Sequence, residues 1–284
     1  MKLVRYGEMG SERPGMIDGQ GRLRALSPLV ADWTPDMLSP EAQAVMRAID
    51  LERLPLVEGT HRLGVPVSGV RQLFAIGLNY VDHSLETGMP LTTHPMLFAK
   101  SIASLSGAED HVAIPEGADK LDWEIELAIV IGRTARHVSE AEALSYVAGL
   151  CLSIDFSERA WQMDRGGQHG KGKSYDRFTP LGPWLVTLDE MADPQALAMQ
   201  LEVNGAVRQQ GSSADMVFTM AAIVSHLSQY QTLLAGDVIQ TGTPAGVAYG
   251  SDALAYLKPG DVVTCRADAL GAQRHMIVTE TLAA

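Results

Sequence analysis

Cysteine is nearly absent from this chain: Cys151 and Cys265 are the only two among 284 residues. Two thiols cannot build a disulfide framework, and theirs is not the spacing of a zinc knuckle. They read as buried thiols in a reducing, cytoplasmic setting. Long apolar runs are also missing, since no stretch approaches the ~20 residues that span a bilayer. The opening MKLVRYGEMGSERPG lacks the apolar core of a secretory signal. Basic residues are scarce, with 22 Lys and Arg against 34 Asp and Glu and a formal net charge of −12. That balance argues against nucleic acid or anionic membranes as partners, because phosphate contacts dominate such binding. A small anionic substrate held by locally gathered cations stays compatible with it.

What is present is an ordinary globular composition, 46% hydrophobic and 20% charged, in a chain long enough for one large and one small domain. KLVRY and GMIDGQGRLRAL pair around Asp18-Gly19 as a hairpin. Ser39-Pro40-Glu41 supplies a cap, a first-turn proline and an acid, which predicts a short helix over 40–49. The Pro- and Gly-punctuated stretch 50–70 reads as a linker. Residues 1–70 are therefore expected to form a small β-rich N-terminal domain with its linker, and 71–284 the main domain. In the main domain RQLFAIGLN, DWEIELAIVIG, LSIDF, PWLVTL, LEVNGAVRQ, GDVIQTG, GDVVTCRAD and RHMIVTE read as strands. Ser139-x-x-Glu142 predicts a helix through EAEALSYVAGL, and 213–229 has helical periodicity. Strands do not alternate regularly with helices, so the expected class is α+β, mostly sheet, and not doubly wound.

One segment, RGGQHGKGKS, matches the phosphate-loop spacing through Gly167 and Gly172-Lys173-Ser174. A working loop of that kind needs a buried strand before the glycines and a helix starting at the Lys-Ser. Here ERAWQMD precedes it with no strand pattern, and Pro180 and Pro183 exclude a long helix after it. The match carries no nucleotide site.

Alternation along DWEIELAIVIG points Trp123, Ile125, Leu127, Ile129 and Ile131 into a core. Asp122, Glu124, Glu126, Ala128 and Val130 share the other face. Two glutamates side by side repel unless water, a proton or a cation intervenes, and spacing alone favours a solvated strand face. Asp155, at the end of the apolar run GLCLSID, shifts that balance, because an unpaired acid there is costly. Three carboxylates with no His or Cys cluster make a hard-oxygen site suited to Mg²⁺ or Mn²⁺. Glycan hydrolysis fits less well, as Glu124 and Glu126 stand too close for an acid/base pair.

In GLNYVDHSLETGMP, His83 and Glu86 share one face of a helical turn that Gly88 ends and Pro90 keeps from continuing. A carboxylate beside an imidazole orients it and raises its basicity. A surface pair in a short loop helix is the simpler account of these two residues taken alone.

Together GLNYVDH, DWEIELAIVIG, DFSERAWQ, GKSYDRFTPLGPWLVT, VNGAVRQ and QTGTPAGV, in that order over roughly residues 71–280, resemble the fumarylacetoacetate hydrolase family. The segment MKLVRYG…PGMID is similar to the leader domain of its bacterial branch acting on 2,4-diketo-3-deoxy-L-fuconate and L-rhamnonate. The resemblance implies a mixed β-sandwich roll, a homodimer and a magnesium ion. It makes Glu124, Glu126 and Asp155 the metal ligands and His83 with Glu86 the dyad that activates water. By the same resemblance Lys173 is the active-site lysine and Arg159 and Gln162 lie near substrate. Thr243 binds the substrate carboxylate, and Lys100 lines the pocket. Two positions depart from the family pattern, Ile154 before the aspartate and Ala160 after Arg159.

The implied reaction is hydrolysis of an acylpyruvate-type 2,4-diketo acid, with a diketo-deoxy sugar acid preferred and pyruvate and lactate as products. Oxaloacetate decarboxylation and isomerisation or hydration of an unsaturated keto acid use the same site. A non-catalytic, metal-stabilised binding protein is the alternative of another class, and it has no use for His83 and Glu86.

Overall fold

A computed structural model describes residues 1–251, 253 and 255–280. Its centre is the strand Ile125–Ile131, buried at all seven positions. Such a strand is apolar almost throughout because both of its faces are covered. It pairs antiparallel with Val147–Ile154, setting Ile125 opposite Ile154 and Glu126 opposite Ser153. On its other side it pairs antiparallel with Val238–Gln240, which runs parallel to Leu73–Gly77. These strands belong to a mixed nine-stranded sheet whose edges are Leu23–Ala25 and Met96–Lys100. A five-stranded sheet, with Val262–Ala267 at its middle, faces it.

The two faces of the large sheet have different covers. Ile125, Leu127, Ile129 and Ile131 meet Leu201, Val263, Cys265 and Ile277 of the smaller sheet in the inter-sheet core. Ala128 and Val130, on the opposite face, cluster with Leu3, Met16, Trp33 and Leu38. The fold is therefore mostly β, an α+β sandwich as the sequence leads one to expect. No helix among the described residues is long and apolar enough to cross a membrane. Both cysteines are buried and unpaired, and burial pushes their thiols far up.

Residues 1–70 are built onto the large sheet: Lys2–Tyr6 pairs with Leu185–Val186, followed outward by Arg13–Ile17 and Leu23–Ala25. The stretch read as a linker is fastened along this strand by Gly7 N–Arg62 O and Gly64 N–Arg5 O bonds. Arg62 also forks onto Asp110 at 2.6 and 2.7 Å.

Two helical expectations are corrected. The helix expected through EAEALSYVAGL covers only Glu140–Ala143, then a 3₁₀ turn, before Val147–Ile154 joins the sheet. Ladder pairing with the central strand outweighs the local capping signal there. The helix expected over 213–229 is Met220–Tyr230, started by Thr219, whose hydroxyl accepts from Ala222 N. The Asn204-Gly205 turn is present, with both residues left-handed at φ 53° and 78°.

Candidate active site

Glu124, Glu126 and Asp155 meet where the central strand and its partner end together. Asp155 N donates to Glu124 O at 2.8 Å, which holds the two chain segments in register. The three carboxylates offer oxygens that all lie within 4.8 Å of one another. All three are buried, Glu124 and Glu126 at 5% and 2% exposure, so the solvated-face reading fails.

Burying such a cluster requires partners. Lys173 Nζ lies 2.6 Å from Glu124 Oε2, 2.7 Å from Asp155 Oδ2 and 2.7 Å from Ser157 Oγ. Lys100 Nζ lies 2.5 Å from Asp155 Oδ1 and 3.1 Å from Gln240 Oε1. Arg159 bridges Asp122 and Glu124 at 2.8 and 2.7 Å. Burial alone would raise the Glu124 carboxyl, but the charges of Arg159 and Lys173 hold it well below the ordinary range. Among the described residues Glu126 receives only the Gly242 N–H, at 2.7 Å. Burial, with Asp155 and Glu124 as neighbours, pushes its carboxyl well above the ordinary range. Four carboxylates against three cations leave this corner one negative charge in excess. An all-oxygen donor set with one uncompensated member fits a hard divalent cation, Mg²⁺ or Mn²⁺.

His83 reaches the same place from the helix Val81–Thr87, which Gly88 ends in a left-handed cap. Its Nδ1 lies 3.5 Å from Glu86 Oε2. Glu86 in turn accepts from Gly246 N, 3.0 Å from each oxygen. Gly246 has φ 111°, and a Cβ there would collide with the Arg208 carbonyl, so only glycine brings this N–H to Glu86. Thr243 Oγ1 accepts from Gln209 Nε2 at 2.8 Å, while Gln209 Oε1 accepts from Ile125 N. The amide orientation being fixed, the Thr243 hydroxyl keeps its own hydrogen to donate into the cavity.

The segment with the phosphate-loop spacing contains one short helix, His169–Lys173, which follows another, Arg159–Met163. Lys173 ends its helix, so no helix N-terminus faces an anion there. Gly172 sits against the preceding helix, where a Cβ would strike the Glu158 carbonyl and Gln162. That close approach delivers Lys173 to the carboxylates.

His83, the three acids, Arg159, Gln162, Lys173 and Thr243 all line one cavity of about 30 Å³. That is room for about one water in this conformation. Two residues stand one layer back. Glu86 acts on His83 from behind, and Lys100, expected to line the pocket, instead lies against Asp155 with its side chain buried. A wider hollow of about 490 Å³ beside Pro115 and Leu257 has no such cluster.

Sequence reasoning gave no role to several residues here. Asp122 accepts from Ala248 N and Tyr249 N as well as from Arg159. Gln209, Gln240 and His169 were not singled out either. Asp122 alone left a signal, since it shares the alternation of Glu124.

Residues 72–278 match the family model described as fumarylacetoacetate (FAA) hydrolase C-terminal. The chain belongs to the fumarylacetoacetate hydrolase family. A relative from Burkholderia ambifaria, named only as a hydrolase, is 50% identical over 274 residues, 96% of this chain and 97% of its own. A Mycobacterium abscessus structure described as a 2-hydroxyhepta-2,4-diene-1,7-dioate isomerase has a TM-score of 0.84 and 32% identity, covering 99% of this chain and 100% of that one. Maleylpyruvate hydrolase from Sphingobium sp. SYK-6, solved with manganese(II) and pyruvate, has a TM-score of 0.81 and 29% identity with the same coverage. As a fumarylacetoacetate hydrolase family member, the chain is an enzyme of the hydrolase/isomerase type. Of its two departures from the family pattern, Ile154 packs in the inter-sheet core and Ala160 is half-buried on the helix Arg159–Met163.

Proposed function

We propose that this enzyme hydrolyses the C–C bond of an acylpyruvate-type 2,4-diketo acid. The preferred substrate in this reading is a 2,4-diketo-3-deoxy sugar acid of the fuconate or rhamnonate type, giving pyruvate and lactate. One observation carries the reading: His83, backed by Glu86, opens onto the same cavity as the three-carboxylate cluster. A merely metal-stabilised binding protein has no need of that pair. Homodimeric assembly and a cytoplasmic location belong to the reading through family habit and the two free thiols.

Glu124, Glu126 and Asp155 would hold the divalent cation, Mg²⁺ or Mn²⁺, which when bound supplies Lewis-acid polarisation of a keto oxygen. The remaining work falls to side chains. Thr243 donates its hydroxyl hydrogen to the substrate carboxylate. His83, its Nδ1 turned to Glu86, takes a proton from water through Nε2. The resulting hydroxide adds to the distal carbonyl, and the C3–C4 bond breaks with its electron pair passing to the pyruvate fragment. Lys173 stands ready for negative charge on the attacked oxygen. A proton returned to C3 completes pyruvate and leaves the distal half as a carboxylic acid.

Pyruvate release should be measured across acylpyruvates, diketo-deoxy sugar acids and oxaloacetate, with Mg²⁺ or Mn²⁺ and with chelator. Release from acylpyruvates is expected, lost with chelator, and lowered ~10²–10⁴-fold by His83→Ala. Wild-type rates in that variant exclude His83 as the base. The isomerase-described neighbour favours a second outcome on the same residues, isomerisation or decarboxylation without water attack. Turnover of oxaloacetate or an unsaturated keto acid, with acylpyruvates inert, selects it. Stabilisation by metal with no oxalate synergy and no turnover selects the binding protein.

A further inference from the structure

The charged floor of the cavity accounts for one end of a diketo acid. What remains is a wall of Leu78, Met89, Met96, Phe98 and His169. Of the two cations that line the cavity, Arg159 is engaged with Asp122 and Glu124, and Lys173, held by Glu124 and Asp155, is committed to the attacked oxygen in the hydrolase reading. Among the described residues no further Lys or Arg lines it. A second carboxylate on the substrate would thus be buried against thioethers and an aromatic ring with no counter-charge.

The one polar group in this wall is His169, packed on Phe98 with ring centroids 5.3 Å apart. Its protonation state follows from a relay that starts at Arg159. Arg159 Nη1 donates to Gln162 Oε1 at 3.0 Å, which assigns the oxygen and nitrogen of that amide. Gln162 Nε2 is then a donor, and it faces His169 Nδ1 at 3.4 Å. Nδ1 must accept, so the hydrogen sits on Nε2 and the ring is neutral. A doubly protonated ring would set donor against donor. Burial and the charge of Lys173 also lower the affinity of this imidazole for a proton. His169 therefore offers a hydrogen to a neutral oxygen and offers no charge to a carboxylate.

We propose that this wall selects 2-keto monocarboxylates whose distal group is short and uncharged and carries an oxygen that accepts from His169, and that it rejects dicarboxylates of the same length. The inference rests on the hydrolase reading above and narrows its substrate to a hydroxylated, uncharged acyl group. It separates this chain from enzymes whose substrates end in a second acid.

Calorimetry on the Mg²⁺-loaded protein tests it with three uncleavable probes: 2-oxohexanoate, 2-oxoadipate and 5-hydroxy-2-oxohexanoate, the last referenced to the first. 2-Oxohexanoate should bind at least ~100-fold more tightly than 2-oxoadipate. His169→Arg should narrow that gap ~10-fold or more by supplying a cation. The 5-hydroxyl should improve binding, and His169→Phe should erase roughly 3- to 10-fold of that advantage. Equal or tighter binding of 2-oxoadipate overturns the inference even if acylpyruvates are cleaved. So does a His169→Phe variant that weakens both members of the hydroxyl pair equally. Inert acylpyruvates with the binding preference intact overturn the hydrolase reading and leave this one standing.

Discussion

The two ends of one strand face present opposite solutions to burial. At one end Glu124 and Glu126 are enclosed by groups from distant segments: Arg159, Lys173 and the Gly242 amide. At the other end Ala128 and Val130 are covered by apolar residues of the N-terminal segment, Leu3 and Trp33 among them. The apolar end is settled by area, which is additive and tolerant of the exact partner. The acidic end is settled by individual pairings, and it fails when any one is removed. A single strand thus carries a scaffold half and a chemical half, separated by two residues.

Removing Glu124 should break the chemical half most severely. Glu124→Ala withdraws a metal ligand and one counter-charge from both Arg159 and Lys173. The expected loss is at least ~10³-fold in metal-dependent kcat/KM, with ~3 kcal/mol of stability lost in urea unfolding. Full activity of this variant in the presence of chelator would falsify the metal assignment. Leu3→Ala attacks the scaffold half. It should cost ~2–5 kcal/mol by the same unfolding measurement, while kcat/KM stays within about two-fold, as expected for a site with no shared partner. A comparable fall in kcat/KM for Leu3→Ala would show that the two halves are coupled. The smallest effect separates the two glutamates from each other. Glu126→Gln keeps the oxygen that accepts from Gly242 and orphans no cation, so metal-free stability should be unchanged or higher by ~1 kcal/mol. The melting-temperature gain from Mg²⁺ or Mn²⁺ should vanish in that variant. Strong destabilisation of the metal-free protein would show that Glu126 has a cationic partner after all.

The same contrast explains how much of the molecule could be read from its sequence. Strand positions, the inward face of DWEIELAIVIG and the Asn204-Gly205 turn follow from period and turn chemistry, which are local. The carboxylates announced themselves through alternation and through an acid ending an apolar run. Their cations are named only through the family resemblance, and no local pattern marks them. Lys100 is 55 residues from Asp155 in the chain, and nothing in FAK signals that its amine is buried beneath a carboxylate. His169 lay inside a segment whose glycines draw attention to nucleotides, although one of them serves helix packing. The N-terminal segment looked separate because its punctuation is that of a linker. PWLVTL reads as a strand, but only Leu185–Val186 is one, and nothing in it signals that Lys2–Tyr6 pairs with it. Val147 falls inside the predicted helix because a capping motif is visible locally and its partner strand is not.

The turn region 242–249 gives its amides to three acids: Gly242 to Glu126, Gly246 to Glu86, and Ala248 with Tyr249 to Asp122. Thr243, in the same stretch, is tied to Gln209. Because these are backbone donors, substitution at Ala248 or Tyr249 leaves them in place, whereas a side chain at Gly242 or Gly246 displaces its own amide and inserting or deleting one residue shifts all of them together. New substrates are therefore to be sought by changing the cavity wall at Met89, Met96, Phe98 and His169, where length and composition are free to vary. The acids are thus held by the main chain and the cavity wall is made of side chains, so the wall can diverge while the acids stay in place.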